Sequence, residues 1–191
     1  VELRILPVND QGELILDQLD ALLTDEVKLV SFVAVSNSLG TINPVKEICD
    51  QVKNFNPEIK ILVDASQAVV HNSVDFKGTN CDFLVFTGHK LYGPTGIGVL
   101  VGRDDVLSGM PPFLGGGDMI EAVTFEDITY KAPPSRFEAG TPPIVEAIGL
   151  GAAIDYITDI GIERIIRHEH KLLEYLTSGL QKIPGVKIYG T

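Results

Sequence analysis

Phe83-Leu84-Val85-Phe86-Thr87-Gly88-His89-Lys90-Leu91-Tyr92-Gly93-Pro94 passes from four apolar residues into a hydroxyl, a glycine, an imidazole and an amine. A short apolar run bounded by turn residues predicts a buried strand, although periodicity alone leaves a buried helical segment open. Ligands of open α/β sheets sit just beyond the carboxyl ends of the strands, which is where Lys90 falls, with mostly apolar residues around it. An amine that loses hydration there favours its uncharged form, and that form attacks carbonyl carbons. The competing reading is a surface lysine after a core strand, since lysine is rarely buried. The sequence upstream separates the two.

Working back, Ile59 to Val63 is a second short and mostly apolar run that ends at Asp64, with Gln67 one turn later. Leu29 to Val35 is a third, ending in Ser36-Asn37. Asn37 and Asp64 lie 27 positions apart, and Asp64 and Lys90 lie 26 apart. That is about the length of a βα unit, so the three ends line one edge of a parallel sheet in an α/β fold. They bring together Asn37, Asp64, Gln67, Thr87, His89 and Lys90. Pyridoxal 5'-phosphate suits this set, because it needs a lysine for its Schiff base and an acid to hold its ring nitrogen protonated. Lys90 and Asp64 supply these. Thr87 and His89 are donors for phosphate oxygens, and Gln67 reaches the ring hydroxyl. Three of the residues have competing readings: Asn37 as a turn residue, Asp64 as a helix N-cap and His89 as a strand-end packing residue.

The composition bounds the rest. A chain of 191 residues, 45% hydrophobic and 21% charged, is enough for one sizeable domain with a core. A formal charge of −11 argues against nucleic acid and against anionic membrane surfaces. No run approaches the roughly 18 apolar residues of a spanning helix, and no basic, apolar leader is visible. Cys49 and Cys81 form no disulfide framework and fit a reducing, cytoplasmic compartment as packed thiols. His168 and His170 lack the spacing of a helical metal pair, so no metal site is expected.

Six stretches also resemble a known family. They are Val63-Asp64-Ala65-Ser66-Gln67-Ala68 with Val70-His71, Cys81-Asp82-Phe83, Thr87 through Gly98, Ser36 through Pro44, Gly115 through Ile120, and Arg136 through Pro142. Together they resemble the class V aminotransferases, and within them the SUF-type cysteine desulfurase and selenocysteine lyase branch. The resemblance implies the fold of type I pyridoxal phosphate-dependent transferases. Residues 1–158 would be a partial large domain, and 159–191 a connecting helix with the start of a small C-terminal α+β domain. The chain would then be the central part, about half, of a longer protein.

The implied activity is removal of sulfur or selenium from L-cysteine or selenocysteine. It gives L-alanine and an enzyme persulfide, destined for iron-sulfur cluster assembly through a sulfur-acceptor protein. Lys90 would hold the cofactor and act as base and acid at the substrate's Cα. The resemblance places Asn37 beside cofactor or substrate, and takes Thr141 to the cofactor phosphate of a second subunit, so a homodimer follows. The family's persulfide-forming cysteine lies on a loop further toward the C-terminus, and neither Cys49 nor Cys81 replaces it. The alternatives are another class V enzyme (an aminotransferase, epimerase or kynureninase-like hydrolase), a chain that folds without being active, and an unrelated acidic Rossmann-like domain.

Along the chain, Glu2 to Leu6 predicts a short strand and Leu16 to Leu23 a helix. Pro44 opens a helix buried through Val45, Ile48, Cys49 and Val52. Gly93 to Gly98 turns the chain sharply beside Lys90 and leads into a strand at Val99 to Val101, which the resemblance makes antiparallel. Gly109 to Pro134 reads as a long excursion with short strands, interfacial by resemblance. Ile144 to Ile157 predicts a helix packed on several sides, and Gly161 starts an amphipathic helix that Pro184-Gly185 ends. Val186 to Tyr189 predicts a final strand. His71 receives no role.

Overall fold

Three of the apolar runs become parallel strands, and the run after Gly96 returns antiparallel beside them. The computed structural model describes residues 1–190. In chain order it contains α1 (Leu19–Leu22), β1 (Leu29–Val33), α2 (Val45–Phe55), β2 (Lys60–Asp64), α3 (Ala68–His71), β3 (Phe83–Thr87) and β4 (Gly98–Gly102). There follow α4 (Asp104–Ser108), β5 (Ile120–Val123), β6 (Ile128–Tyr130), α5 (Ile144–Ile160) and α6 (Ile162–Leu180). The main sheet has the order β1-β2-β3-β4, with β4 antiparallel to β3. This is the predicted mixed α/β architecture, dominated by parallel strands.

Register explains which side chains reach the core. Phe32, Val63, Leu84 and Val101 lie abreast on one face, where α2 covers them with Ile48, Cys49 and Val52. Apolar residues at one-turn spacing give α2 that stripe. Val33, Asp64, Val85 and Leu100 lie abreast on the other face, where Val33 and Leu100 stay exposed. Because strand side chains alternate, Asp64 points away from the face that α2 covers. A second core joins Leu150 and Ile157 of α5 to Val70 and Leu91, with Ile97 and Val99 packed beside them.

A polar staple missed in the sequence closes the amino ends of the strands. Lys53 Nζ, at the end of α2, donates to Asp82 Oδ2 at 2.6 Å and to the carbonyl of Ile59 at 2.8 Å. Asp82 Oδ2 also accepts the Ile61 amide at 2.8 Å. One buried carboxylate oxygen therefore ties α2, β2 and the approach to β3 together.

Four expectations are corrected. Glu2 to Leu6 pairs with no strand among the described residues; the nearest pairing is a single bridge, Val8 to Leu14. Val186 to Tyr189 likewise forms no strand, because no neighbouring strand offers it a ladder among the described residues. The Leu16–Leu23 helix is a 3-10 turn, Leu16–Gln18, followed by the single turn of α1. α5 is packed on one side rather than several: Leu150, Ala153 and Ile157 are buried, while Ile144, Val145 and Ile148 are exposed. The stripe of α6 is similarly covered only near its start, at Ile162 and Ile165, with Leu172, Leu173 and Leu176 exposed.

The excursion between α4 and α5 carries the β5–β6 hairpin. Arg136 holds it by donating to the carbonyls of Ser108, Met110 and Lys131. The Gly140 amide donates to the Gly117 carbonyl at 2.9 Å, which sets the triple glycine against the segment leading to Thr141.

Candidate active site

Three successive strand ends bring the predicted residues to one edge. β1 delivers Asn37 four residues past its last residue, β2 ends at Asp64, and β3 ends at Thr87 and passes directly into the 3-10 turn Gly88–Leu91 that carries Lys90. The turn is tight for a stated reason. The Gly88 amide donates to the Ile97 carbonyl at 2.9 Å, and the Gly93 amide to the Gly88 carbonyl at 3.0 Å. A Cβ on Gly88 would lie 2.7 Å from the Ile97 side chain, so only glycine lets the two passes of chain approach this closely. Gly96, at φ +84°, makes the return into β4.

Lys90 is half-buried, and its Nζ donates to Asn37 Oδ1 at 3.4 Å. Gln67 Nε2 donates to the same oxygen. The amine therefore meets an amide, which corrects the expectation of a mostly apolar setting: the apolar side chains near it, Leu91 among them, turn into the second core instead. Asp64 Oδ1 accepts the Ser66 amide at 2.8 Å. That bond shapes the turn after β2, and Asp64 is not an N-cap, since α3 begins at Ala68. No hydrogen bond to its second carboxylate oxygen occurs among the described residues.

Thr87 Oγ1 and His89 Nδ1 lie 2.9 Å apart. Whichever of the two donates, the pair keeps a donor: the other ring N–H in one tautomer, the threonine O–H in the other. Thr141 does not join this group. It is exposed in the bend before α5, after Gly140 at φ +85°.

His71, which the sequence left without a role, bonds through Nδ1 to Glu169 Oε2 at 2.9 Å and so ties α3 to α6. The partners are 98 residues apart, and nothing local in the sequence signals the contact. Cys49 and Cys81 are free and buried. Burial pushes the Cys49 thiol up to about 12 and raises that of Cys81 as well. Neither is available as a nucleophile. No cluster of potential metal ligands occurs among the described residues, and none of the described helices is long and apolar enough to cross a membrane.

A cavity of about 490 Å³ lies at the amino ends of the strands, lined by Lys28, Leu29, Lys60, Phe83 and Met110. It is at the wrong end of the sheet for the chemistry, which gathers beyond the carboxyl ends.

A parallel-dominated α/β sheet with amine, carboxylate and amide at adjoining strand ends defines a pyridoxal phosphate-type frame of fold type I. Comparison with known families is consistent with it. The description "Aminotransferase class-V" matches residues 1–191, and the chain belongs to that family, whose members use pyridoxal phosphate. A probable cysteine desulfurase of Streptomyces coelicolor is 48% identical over 189 residues, covering 99% of this chain and 45% of the relative. The apo structure of a cysteine desulfurase from Thermococcus onnurineus NA1 superposes with a TM-score of 0.91 at 41% identity, over 98% of this chain and 46% of that one. The S-sulfonic acid form of the cysteine desulfurase CsdA from Escherichia coli gives a TM-score of 0.89 at 35% identity, over 94% and 45%. The chain thus spans about 45% of the length of the curated relative.

Proposed function

We propose that this chain is the cofactor-holding part of a pyridoxal phosphate-dependent cysteine desulfurase, which takes sulfur from L-cysteine and releases L-alanine. The observation that carries this reading is the convergence of Lys90 Nζ and Gln67 Nε2 on Asn37 Oδ1, with Asp64 at the intervening strand end. The donor set fits the cofactor: an amine for its aldehyde, a carboxylate for its ring nitrogen, an amide for its ring oxygen, and a hydroxyl–imidazole pair for its phosphate.

When bound, pyridoxal phosphate supplies an electron sink for bonds at the substrate's Cα. Lys90 holds the cofactor and then moves the proton at Cα. Asp64 keeps the ring nitrogen protonated, its carboxylate already oriented by the Ser66 amide. Gln67 would hold the ring oxygen. Thr87 and His89 bind phosphate through whichever donor their mutual bond leaves free, and Thr141 from a second copy of the chain completes that contact. The exposed Ile144, Val145 and Ile148 of α5 support the homodimer this requires.

The same reading covers selenocysteine as an alternative substrate, passage of the sulfur to an acceptor protein for iron-sulfur cluster assembly, and a cytoplasmic setting, which two unpaired buried thiols support. It divides the chain into a large-domain part, 1–158, and a connecting helix leading to a smaller domain, 159–191.

The test is a visible absorbance scan of the purified chain with pyridoxal phosphate, followed by borohydride reduction and peptide mapping. Covalent label on Lys90, absent from Lys90→Ala, supports the reading. Label that persists at the site in Lys90→Ala, or a folded chain that takes none, overturns it for this chain.

A further inference from the structure

Asn37 has one side-chain oxygen, and two donors from different loops meet on it. Turning the amide over would set its NH2 group against the amine of Lys90 and the NH2 of Gln67, donor against donor, so the two bonds fix its orientation. Asn37 also stands on the more rigid footing of the pair. Its turn is closed by the Ser36 amide on the Thr41 carbonyl at 2.9 Å, the Gly40 amide on the Ser36 carbonyl at 3.0 Å, and the Leu39 amide on Ser36 Oγ at 3.2 Å. Asn43 pins the far end, its Nδ2 donating to the Val33 carbonyl at 2.8 Å. Lys90, by contrast, reaches Asn37 at the end of a flexible four-carbon stem. The fixed partner is the amide and the movable one is the amine.

We propose, resting on the reading above, that Asn37 is a positioning residue for Lys90: before any cofactor is present, its side-chain oxygen holds the amine at the strand-end edge, beside Gln67. The hold consists of one long hydrogen bond, so it restrains the amine without locking it, and an arriving aldehyde displaces Asn37 from Lys90. Gln67 steadies the amide meanwhile, which is why the acceptor is shared rather than private.

The experiment is reductive methylation of the cofactor-free chain with formaldehyde and cyanoborohydride, read lysine by lysine by peptide mass spectrometry. Exposed Lys46 and Lys77 serve as internal references. An amine held between loops meets reagent less often than a free one, so Asn37→Ala raises the labelling rate of Lys90 by roughly threefold relative to the references, the size expected of one modest hydrogen bond. Asn37→Asp keeps an acceptor in place and labels no faster than the unaltered chain. Equal rates in Asn37→Ala and the unaltered chain overturn the proposal, as does an Asn37→Asp variant that labels like Asn37→Ala. Borohydride trapping of pyridoxal phosphate on the same samples separates the two ideas. A labelling shift without trapping leaves the hold standing and removes the cofactor reading; trapping without a labelling shift does the reverse.

Discussion

Lys53 Nζ and Asp82 Oδ2 lie 2.6 Å apart with their side chains only 11% and 2% exposed, at the end of the sheet opposite Lys90. Removing one member of a buried pair strands the other charge, which costs about 3–5 kcal/mol. Lys53→Met is therefore expected to lower stability by about 3 kcal/mol in urea unfolding. Adding Asp82→Asn, which keeps an acceptor for the Ile61 amide but no charge, recovers more than half of that. A single-variant loss below about 1 kcal/mol would show that the pair is incidental.

Asp64 separates shape from chemistry. Its Oδ1 bond to the Ser66 amide survives in Asp64→Asn, so the melting temperature stays close to that of the unaltered chain, within about 0.5 kcal/mol of stability. The carboxylate needed by a ring nitrogen is gone, and retention of pyridoxal phosphate, followed by its visible absorbance during dialysis, falls by about tenfold. Unchanged retention would remove Asp64 from the site.

Thr41 Oγ1 is buried and has no hydrogen-bond partner among the described residues. A buried hydroxyl without a partner costs about 1–3 kcal/mol. The near-isosteric Thr41→Val is accordingly expected to stabilise the chain by about 1 kcal/mol, seen as a higher urea midpoint with an unchanged slope. A lower midpoint would mean that the hydroxyl has a partner after all.

The thiols set an alkaline limit. Burial, reinforced by neighbouring Cys81 and Asp50, lifts Cys49 from 9.0 to about 12 in the folded chain. Above pH 9 the unfolded chain releases that proton while the folded chain keeps it, so stability contributed below pH 9 is lost as the pH climbs toward 12. Cys49→Ala flattens this decline in unfolding titrations between those limits. In the folded chain at pH 8, Cys49 resists iodoacetamide, and it reacts once urea is added.

The three parallel strands of the main sheet and the residues at their ends were legible because each is a short apolar run stopped by a polar residue, repeated at the length of a βα unit. What escaped the sequence depended on partners far along the chain. Lys53 and Asp82 are 29 positions apart and His71 and Glu169 are 98 apart, so no local pattern announces either pair. Leu3 and Ile5 alternate as a strand should, yet a strand exists only where another lies beside it. The apolar run of α5 promised burial all round, but apolar residues are a frequent part of protein surfaces. The shared acceptor at Asn37 was invisible for a simpler reason: residue type says that an amide is present, not which donors it serves.

The antiparallel return of β4 has a consequence for the order in which the molecule assembles. β3, the Lys90 turn and β4 form one continuous hairpin, Phe83 to Gly102, closed by contacts between near neighbours. β1 and β2 pair in parallel only after the chain has wound through α2, and β2 and β3 only after it has passed α3. Contacts close in sequence form sooner than those that must first close a long loop. The amine's turn is thus expected to take shape early and Asn37, which holds it, to arrive late, so that the residue assigned the chemistry is in place before the one that positions it.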